Sequence, residues 1–288
     1  MLDSRCTIEL SCPACGETGT YQYLYCKNGC HILVCRECGL GRAETDAFDP
    51  TAYYTDAYFS GGHRDGYADY LGSERVLRRE FARTVQFIRQ RRPSGRLLEI
   101  GCAYGFFLEE AKRYFDVSGI ELAEDAAAYC RRNGLRVING TAGEQTLSEL
   151  GRMDIIVLLD VIEHLPAPGE TLALCARQLD PGGLIVLTTG DFGSAAARWA
   201  GPRWRLMTPP QHLWFFSAGS IARLSERLHL RVENLDHPWK IVPLSLISFQ
   251  LRRLLKLKSG PTGSATRIGI PINLFDAMRV VLRRSPAA

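Results

Sequence analysis

Between residues 96 and 188 short apolar runs alternate with stretches of helical period. The runs at 97–100, 117–122, 135–138, 155–159 and 184–188 predict strands, and the stretches at 105–115, 123–133 and 168–179 predict the helices between them. This rhythm predicts an α/β fold with a doubly wound, mostly parallel sheet. Ahead of it, Leu77, Phe81, Val85 and Ile88 recur at helical spacing with arginines opposite, so an amphipathic helix is expected over 74–92, stopped by Pro93 and Gly95. Residues 230–235 and 277–282 read as two final strands. Residues 46–72 are loop-like but crowded with Tyr53, Tyr54, Tyr58, Phe59, Tyr67 and Tyr70. Aromatic rings at that density must pack on a neighbouring surface or on a ligand cleft.

The 288 residues are 46% hydrophobic and 23% charged, a composition of folded globular chains that argues against disorder and against a membrane-embedded protein. No apolar run approaches the roughly 18 residues of a spanning helix, and the first residues lack a signal-peptide pattern, so a cytoplasmic protein is expected. The net charge of +4 is too mild to demand nucleic acid as a partner. Its distribution is uneven: from His237 onward nine Lys or Arg stand against one acid, Asp276. The expected organisation is a small module over 1–45, an aromatic-rich linker and entry helix over 46–92, and a large domain over 93–288 carrying a basic, amphipathic insertion over 241–268.

Seven of the ten cysteines lie in the first 38 residues. Cys12-Pro-Ala-Cys15-Gly and Cys35-Arg-Glu-Cys38-Gly are matching knuckles whose spacing reads as a zinc site. Four thiolates close a tetrahedral shell and leave no position for substrate, so the metal is expected to be structural and the module a zinc ribbon. Cys26, Cys30 and His31 stay open as competing ligands. Such a module by itself does not specify function.

The first strand of the large domain ends in Leu97-Leu98-Glu99-Ile100-Gly101-Cys102-Ala103-Tyr104-Gly105, and the second in Gly119-Ile120-Glu121-Leu122. Gly101 and Gly105 allow a ligand close to the strand-to-helix turn, and Glu121 stands at the distance where a carboxylate takes both hydroxyls of a ribose. A nucleoside pocket follows. The dinucleotide fingerprint fails, because Ala103 and Phe106 stand where it requires glycine.

These motifs, with Met153-Asp154-Ile-Ile-Val-Leu-Leu-Asp160-Val-Ile-Glu163-His164-Leu165 and Leu179-Asp180-Pro181-Gly182-Gly183-Leu184, resemble the class I S-adenosylmethionine-dependent methyltransferases over roughly residues 90–236. The nearest branch is the small-molecule one that includes the ubiquinone-biosynthesis O-methyltransferases. The resemblance implies a Rossmann-like, seven-stranded sheet with its last two strands antiparallel. It further implies that Glu99, Gly101, Cys102 and Gly105 hold the methionine part of S-adenosylmethionine and that Glu121 takes the ribose. Leu122 would then pack on adenine, Thr141 and Ala142 edge that ring, and Asp160 lie beside the methionine portion. Ala103 and Thr141 depart from the family pattern, where glycine and an acid are common.

Methyl transfer from a sulfonium is an in-line displacement, so the protein mainly holds the acceptor near the methyl carbon. A hydroxyl acceptor must also lose a proton, a task commonly given to histidine. His164 follows the fourth strand and is the candidate base; its alternative is a structural histidine bonded to backbone. Glu163 is a candidate to orient that imidazole, to bind a divalent cation, or to cap the helix starting near Pro166. The stretch from Thr208 to Ser217 holds His212, which the resemblance places at the wall of the acceptor site, and Ser217 is a helix cap.

The expected function is therefore O-methylation of a small-molecule or saccharide acceptor, a glycolipid precursor included. One alternative is a zinc-ribbon RNA base methyltransferase, disfavoured because residues 1–45 lack a basic stripe. Another is a non-catalytic module that keeps the fold. Residues 241–258 alternate apolar positions with a late basic cluster, which suits either packing over the acceptor pocket or contact with an anionic membrane surface. The motifs specify neither the acceptor atom nor an oligomeric state.

Overall fold

The structure is a computed structural model that describes residues 7–45, 48–62, 66–67, 69–248 and 268–284. The chain divides into two compact units, Met1–Asp49 with Ala142–Pro238 and Leu274–Ala288, and Pro50–Thr141 with Trp239–Asn273. In the first unit the amino-terminal strands are β1 (Thr7–Ser11), β2 (Thr18–Lys27), β3 (Cys30–Cys35) and β4 (Gly41–Glu44), an antiparallel meander. Along β3 the neighbours Ile32 and Leu33 are both buried, so both faces of the strand are covered at that point.

The second unit holds three parallel strands, β5 (Arg96–Ile100), β6 (Asp116–Glu121) and β7 (Arg136–Asn139). The helices Phe106–Ala111 and Glu124–Arg132 connect them. Both faces of such a sheet are covered, and accordingly Leu97, Leu98 and Ile100 are buried consecutively rather than alternately. The entry helix is Glu74–Arg89, with Val76, Leu77, Val85 and Ile88 on its buried face.

The remaining strands of the first unit are β8 (Met153–Leu159), β9 (Leu179–Gly190), β10 (Trp214–Phe215) and β11 (Leu230–Asp236). The hairpin of β12 (Lys240–Pro243) and β13 (Gly269–Ile272) belongs to the second unit, and β14 (Ala277–Arg284) returns to the first. β8 and β9 run parallel, while β14 pairs antiparallel with both β9 and β11. β9 starts five residues earlier than its apolar run suggests, because Leu179 already pairs with Met153 and the Asp-Pro-Gly-Gly stretch is absorbed as a register shift. β10 joins β4 and so makes the amino-terminal sheet five-stranded, in the order β1-β2-β3-β4-β10.

Seven strands thus carry the expected Rossmann-like methyltransferase fold, the last two antiparallel. A further helix, Glu144–Leu150, buries only Leu147 and Leu150, too few apolar positions to show a helical period in the sequence. Of the basic insertion, residues 249–267 lie outside the described residues, and its start at Lys240–Pro243 is a strand. Among the described residues no helix is long and apolar enough to cross a membrane.

Candidate active site

In the second unit, β5 ends in a turn that three residues take with left-handed backbone: Gly101 (φ 73°), Ala103 (φ 46°) and Gly105 (φ 74°). A Cβ at 105 would meet Leu135 Cδ1 at 2.5 Å and Cys130 Sγ at 2.9 Å, so glycine is required there for space as well as for φ. Ala103 bears the strain that a glycine would relieve. Its amide donates to Glu121 Oε2 at 2.7 Å, and the Ala123 amide donates to Glu121 Oε1 at 2.8 Å. Burial raises the Glu121 carboxyl while the amides of Ala123, Ala103 and Leu122 draw it back toward the charged form. Each carboxylate oxygen keeps further acceptor capacity, so the group that pins the turn can also take hydroxyl donors.

Glu99 is 3% exposed, and its Oε2 has no hydrogen-bond partner among the described residues. Burial, with Cys130 and Glu121 adding, pushes its carboxyl well above the usual range. A buried carboxyl whose ionised form is disfavoured in this way is the environment that a ligand ammonium or sulfonium relieves. Cys102 and Cys130 are buried beneath the turn, and the Cys130 thiol donates to Ala103 O at 3.2 Å. Leu122 is half-buried and Thr141 exposed. The Asn139 amide ties the ends of β6 and β7 together, donating to Glu121 O at 3.1 Å and Leu122 O at 2.9 Å.

In the first unit, Asp160 closes β8 with left-handed backbone (φ 54°), its amide donating to Thr188 O and Oγ1 while Thr188 Oγ1 donates to its carboxylate at 2.8 Å. The chain then makes a short 3-10 turn, Ile162–His164. The expected helix begins only at Pro168, so Glu163 does not cap it. His164 Nδ1 lies 2.7 Å from Gln211 O, and His212 Nδ1 lies 2.8 Å from Leu206 O. A carbonyl can only accept, so each Nδ1 carries the proton and each Nε2 keeps its lone pair. The two rings meet edge to face at 4.7 Å. Burial lowers both imidazoles, His212 the more strongly because His164 lies against it. One ligand atom each from Glu163, His164 and His212 lies within 4.8 Å of the others. Ala142 is half-buried.

A family model described as a methyltransferase domain matches residues 73–235, more than half of the chain. The chain belongs to this methyltransferase family. It is a class I S-adenosylmethionine-dependent methyltransferase. The chain is 32% identical over 145 residues to the ubiquinone biosynthesis O-methyltransferase of a Caulobacter species, covering 43% of this chain and 58% of that protein. It is 31% identical over 138 residues to the protein of the same name from Methylococcus capsulatus, covering 45% and 58%. The chain therefore spans less than two thirds of the curated relatives it matches. Two solved structures share the fold, each with a TM-score of 0.51. One is the magnesium protoporphyrin IX methyltransferase of Synechocystis PCC 6803 with bound SAH, 12% identical, covering 82% of this chain and all of that one. The other is a SAM-dependent methyltransferase from Archaeoglobus fulgidus, 19% identical, covering 71% and 92%.

This methyltransferase gathers Cys12, Cys15, Cys35 and Cys38 into one cluster with their sulfurs within 4.8 Å of one another. Cys12 and Cys38 are 3.5 Å apart, Cys15 and Cys35 3.8 Å. A tetrahedron with zinc–sulfur bonds of about 2.3 Å has edges of about 3.8 Å, so the four fit a structural zinc ion. The Cys38 thiol beside it lowers Cys12 to about 4, while burial pushes up Cys15 and the contact with Cys12 pushes up Cys38. Cys26 is exposed, Cys30 packs in an apolar cluster, and His31 stands edge-on to Tyr23, so none of the three joins the four.

Two features of the first unit carry no sequence signal. His237 Nε2 meets Asp191 Oδ2 at 3.0 Å just past β9 and β11, pairing residues 46 positions apart. Asp276 is buried and receives Trp204 Nε1 and a two-pronged Arg205, which hold the segment leading to His212.

Proposed function

We propose that this methyltransferase moves the methyl group of S-adenosylmethionine to a hydroxyl oxygen of a small-molecule acceptor, with His164 as the base. The observation that carries the reading is the protonation pattern at the histidine pair. Burial disfavours the charged form of His164, its Nδ1–H is donated to Gln211 O, and Nε2 is the nitrogen that carries the lone pair. A base with a depressed pKa is already deprotonated at neutral pH, so every molecule starts in the reactive state. His212 shapes the wall beside it. Glu163 is buried next to the pair and holds the segment through its own carbonyl, which accepts from the Leu213 amide at 2.9 Å. Assignment to oxygen draws support from the relatives, whose names specify O-methylation.

On the cofactor side we assign Glu99, Gly101, Cys102 and Gly105 to the methionine part, Glu121 to the ribose hydroxyls, and Leu122 with Thr141 and Ala142 to adenine; Asp160 is assigned to the methionine portion. The unmatched Glu99 oxygen and the glycine turn support this assignment. When bound, the cofactor supplies the electrophilic methyl carbon. The chain's own groups orient the two reactants and accept the proton. Zinc at Cys12, Cys15, Cys35 and Cys38 is assigned a structural role.

Calorimetry with S-adenosylhomocysteine, followed by methyl transfer to a catechol such as 3,4-dihydroxybenzoate read by mass spectrometry, tests the reading. Glu121→Ala is expected to weaken binding at least about 30-fold, since it removes charge-assisted bonds to the ribose and the anchor of the turn together. His164→Gln is expected to keep the wild-type affinity and lose at least about 100-fold in transfer rate. Wild-type protein that fails to bind the product cofactor refutes the cofactor assignment. Undiminished transfer by His164→Gln refutes the base.

A further inference from the structure

The helix Ala218–Arg227 touches both cysteine knuckles, one at each end. At its start, a Cβ on Gly219 would lie 3.9 Å from Cys38 O, and a Cβ on Gly39 would lie 3.9 Å from the Oγ of Ser217, the residue that caps the helix. At its last residue, Arg227 reaches the other knuckle: Nε donates to Ala14 O at 3.2 Å and Nη2 donates to Pro13 O at 2.5 Å. Glycines on both sides leave room for this side chain. A Cβ at Gly16 would stand 2.7 Å from Arg227 Cδ, and a Cβ at Gly169, the buried second residue of the helix Pro168–Gln178, would stand 2.7 Å from Nη2 and 3.0 Å from Pro13 O. Such distances are overlaps, so a side chain at either position displaces the guanidinium or the carbonyl it holds.

What the two bonds fix is the orientation of two peptide units. Pro13 C=O shares a planar trans unit with the Ala14 N–H, and Ala14 C=O shares one with the Cys15 N–H, so a carbonyl held toward Arg227 turns its N–H to the opposite side. On that side the Cys12 sulfur accepts from the Ala14 and Cys15 amides. The Gly16 amide donates to Cys12 O at 2.8 Å and the Cys12 amide to Glu17 O at 3.0 Å, which closes the knuckle around this cysteine. Amide donors stabilise a thiolate, and the outer groups that orient a metal's ligands tune how firmly the metal is held. A guanidinium suits the pair of carbonyls because its nitrogens form a rigid planar fork.

Resting on the structural zinc assigned above, we propose that Arg227 is a positioning residue of the zinc site. It grips the outer carbonyls of the first knuckle, aims two amides at the Cys12 sulfur, and so slows release of the metal. The same grip ties the knuckle to the helix that begins at Ala218 and, through the slot at Gly169, to the helix that begins at Pro168. Holding the metal is thereby a task shared between the cysteine module and the helices of the same unit.

The test is the rate at which full-length, zinc-loaded protein passes its metal to the chromophoric chelator 4-(2-pyridylazo)resorcinol, followed by absorbance. Arg227→Met is expected to release zinc about tenfold faster than wild type, the lower end of the effect of outer groups, because Arg227 is exposed and water competes for its partners. Arg227→Lys is expected to fall between the two, since an ammonium keeps the charge and loses the fork. Gly169→Ala leaves Arg227 and the cysteines in place, and its methyl group is expected to speed release by displacing the guanidinium or Pro13 O. Arg223→Met, one turn earlier on the same helix and exposed, is expected to keep the wild-type rate. Rates for Arg227→Met and Gly169→Ala within about twofold of wild type overturn the proposal. Release from Arg223→Met as fast as from Arg227→Met also overturns it, because net charge alone would then account for the effect. Wild type purified without zinc instead overturns the zinc assignment on which the grip rests, so the two failures are distinguishable.

Discussion

Stripping the proposed zinc from the cysteine cluster should loosen the histidine pair through a chain of hydrogen bonds that can be followed residue by residue. Trp214 and Phe215 pair with Arg42 and Gly41, and the Ala43 amide donates to Leu213 O at 2.9 Å. Leu213 directly follows His212 in the chain, and its own amide donates to Glu163 O at 2.9 Å. Structural zinc supplies roughly 10–16 kcal/mol in small metal-dependent modules, as much as the entire stability of an ordinary domain. A ribbon of four short strands should not survive its loss. Segment 211–216 then forfeits about three backbone hydrogen bonds to β4, worth about 1 kcal/mol each, which lowers the occupancy of its ordered state by about 100-fold.

Hydrogen–deuterium exchange followed by mass spectrometry reads that number directly. Protein treated with a zinc chelator should lose about two orders of magnitude of protection over 211–217, while amides of β5 and β6 in the second unit keep theirs. Trp214 gives a second readout, because its indole donates to Leu165 O at 2.9 Å and lies under Arg42, 5.4 Å from the guanidinium carbon, so its fluorescence should shift on chelation. Full protection of 211–217 in demonstrably zinc-free protein would refute the brace. Intact protein that carries no zinc when purified would refute the metal itself.

Two further outcomes follow from the geometry. Gly105→Ala adds a methyl group 2.5 Å from Leu135 Cδ1 to a backbone at φ 74°, and left-handed strain of about 1–2 kcal/mol plus overpacking of about 1–3 kcal/mol should lower urea-measured stability by roughly 2–4 kcal/mol. A loss under about 1 kcal/mol would mean that the turn is not held as described. Acid should also destabilise the fold through the buried histidines. Because the folded-state pKa values of His164 and His212 lie below the unfolded value of about 6.5, the unfolded chain binds more protons as pH falls beneath that value. Stability is then fully present above about pH 6.5 and declines below it, by up to about 1.4 kcal/mol per pH unit for each histidine. Glu99 acts in the opposite direction, its raised pKa favouring the folded state toward acid. The informative quantity is accordingly the difference between wild type and a His164→Asn/His212→Asn double variant, and parallel stability curves for the two would contradict the buried neutral pair.

What was legible in the chain is what is encoded within a few residues. The paired cysteine knuckles, the Gly101–Gly105 turn and the Glu121 spacing all close within one supersecondary unit, so spacing alone identifies them. The strand and helix rhythm between 96 and 188 is legible for the same reason, and the ends erred only where a register shift at Met153/Ile155 or a short 3-10 turn at Ile162–His164 replaced regular structure. Asp191 with His237, and Asp276 with Trp204 and Arg205, were not legible, because each joins residues 46 to 72 positions apart. Strand β10 was hidden because two residues carry no measurable alternation. For the aromatic stretch the density gave a signal, yet that Tyr70 among six rings would stack on Phe106 depended on packing that the pattern does not encode.

The histidine pair shows why this division matters for chemistry. Residue identity makes His164 and His212 candidates, but a backbone carbonyl decides which nitrogen of each keeps a lone pair. Those carbonyls belong to Gln211 and Leu206, in a segment with little regular structure of its own. Asp276 holds Trp204 and Arg205 at one end of that segment, and the amino-terminal sheet holds Trp214 and Phe215 at the other. An imidazole whose partner carbonyl drifts becomes free to exchange tautomers, and the Nε2–H form then presents N–H where a base must present a lone pair. Under the proposed function, the cysteine module therefore contributes to proton transfer without approaching the acceptor: it fixes the backbone that fixes the tautomer.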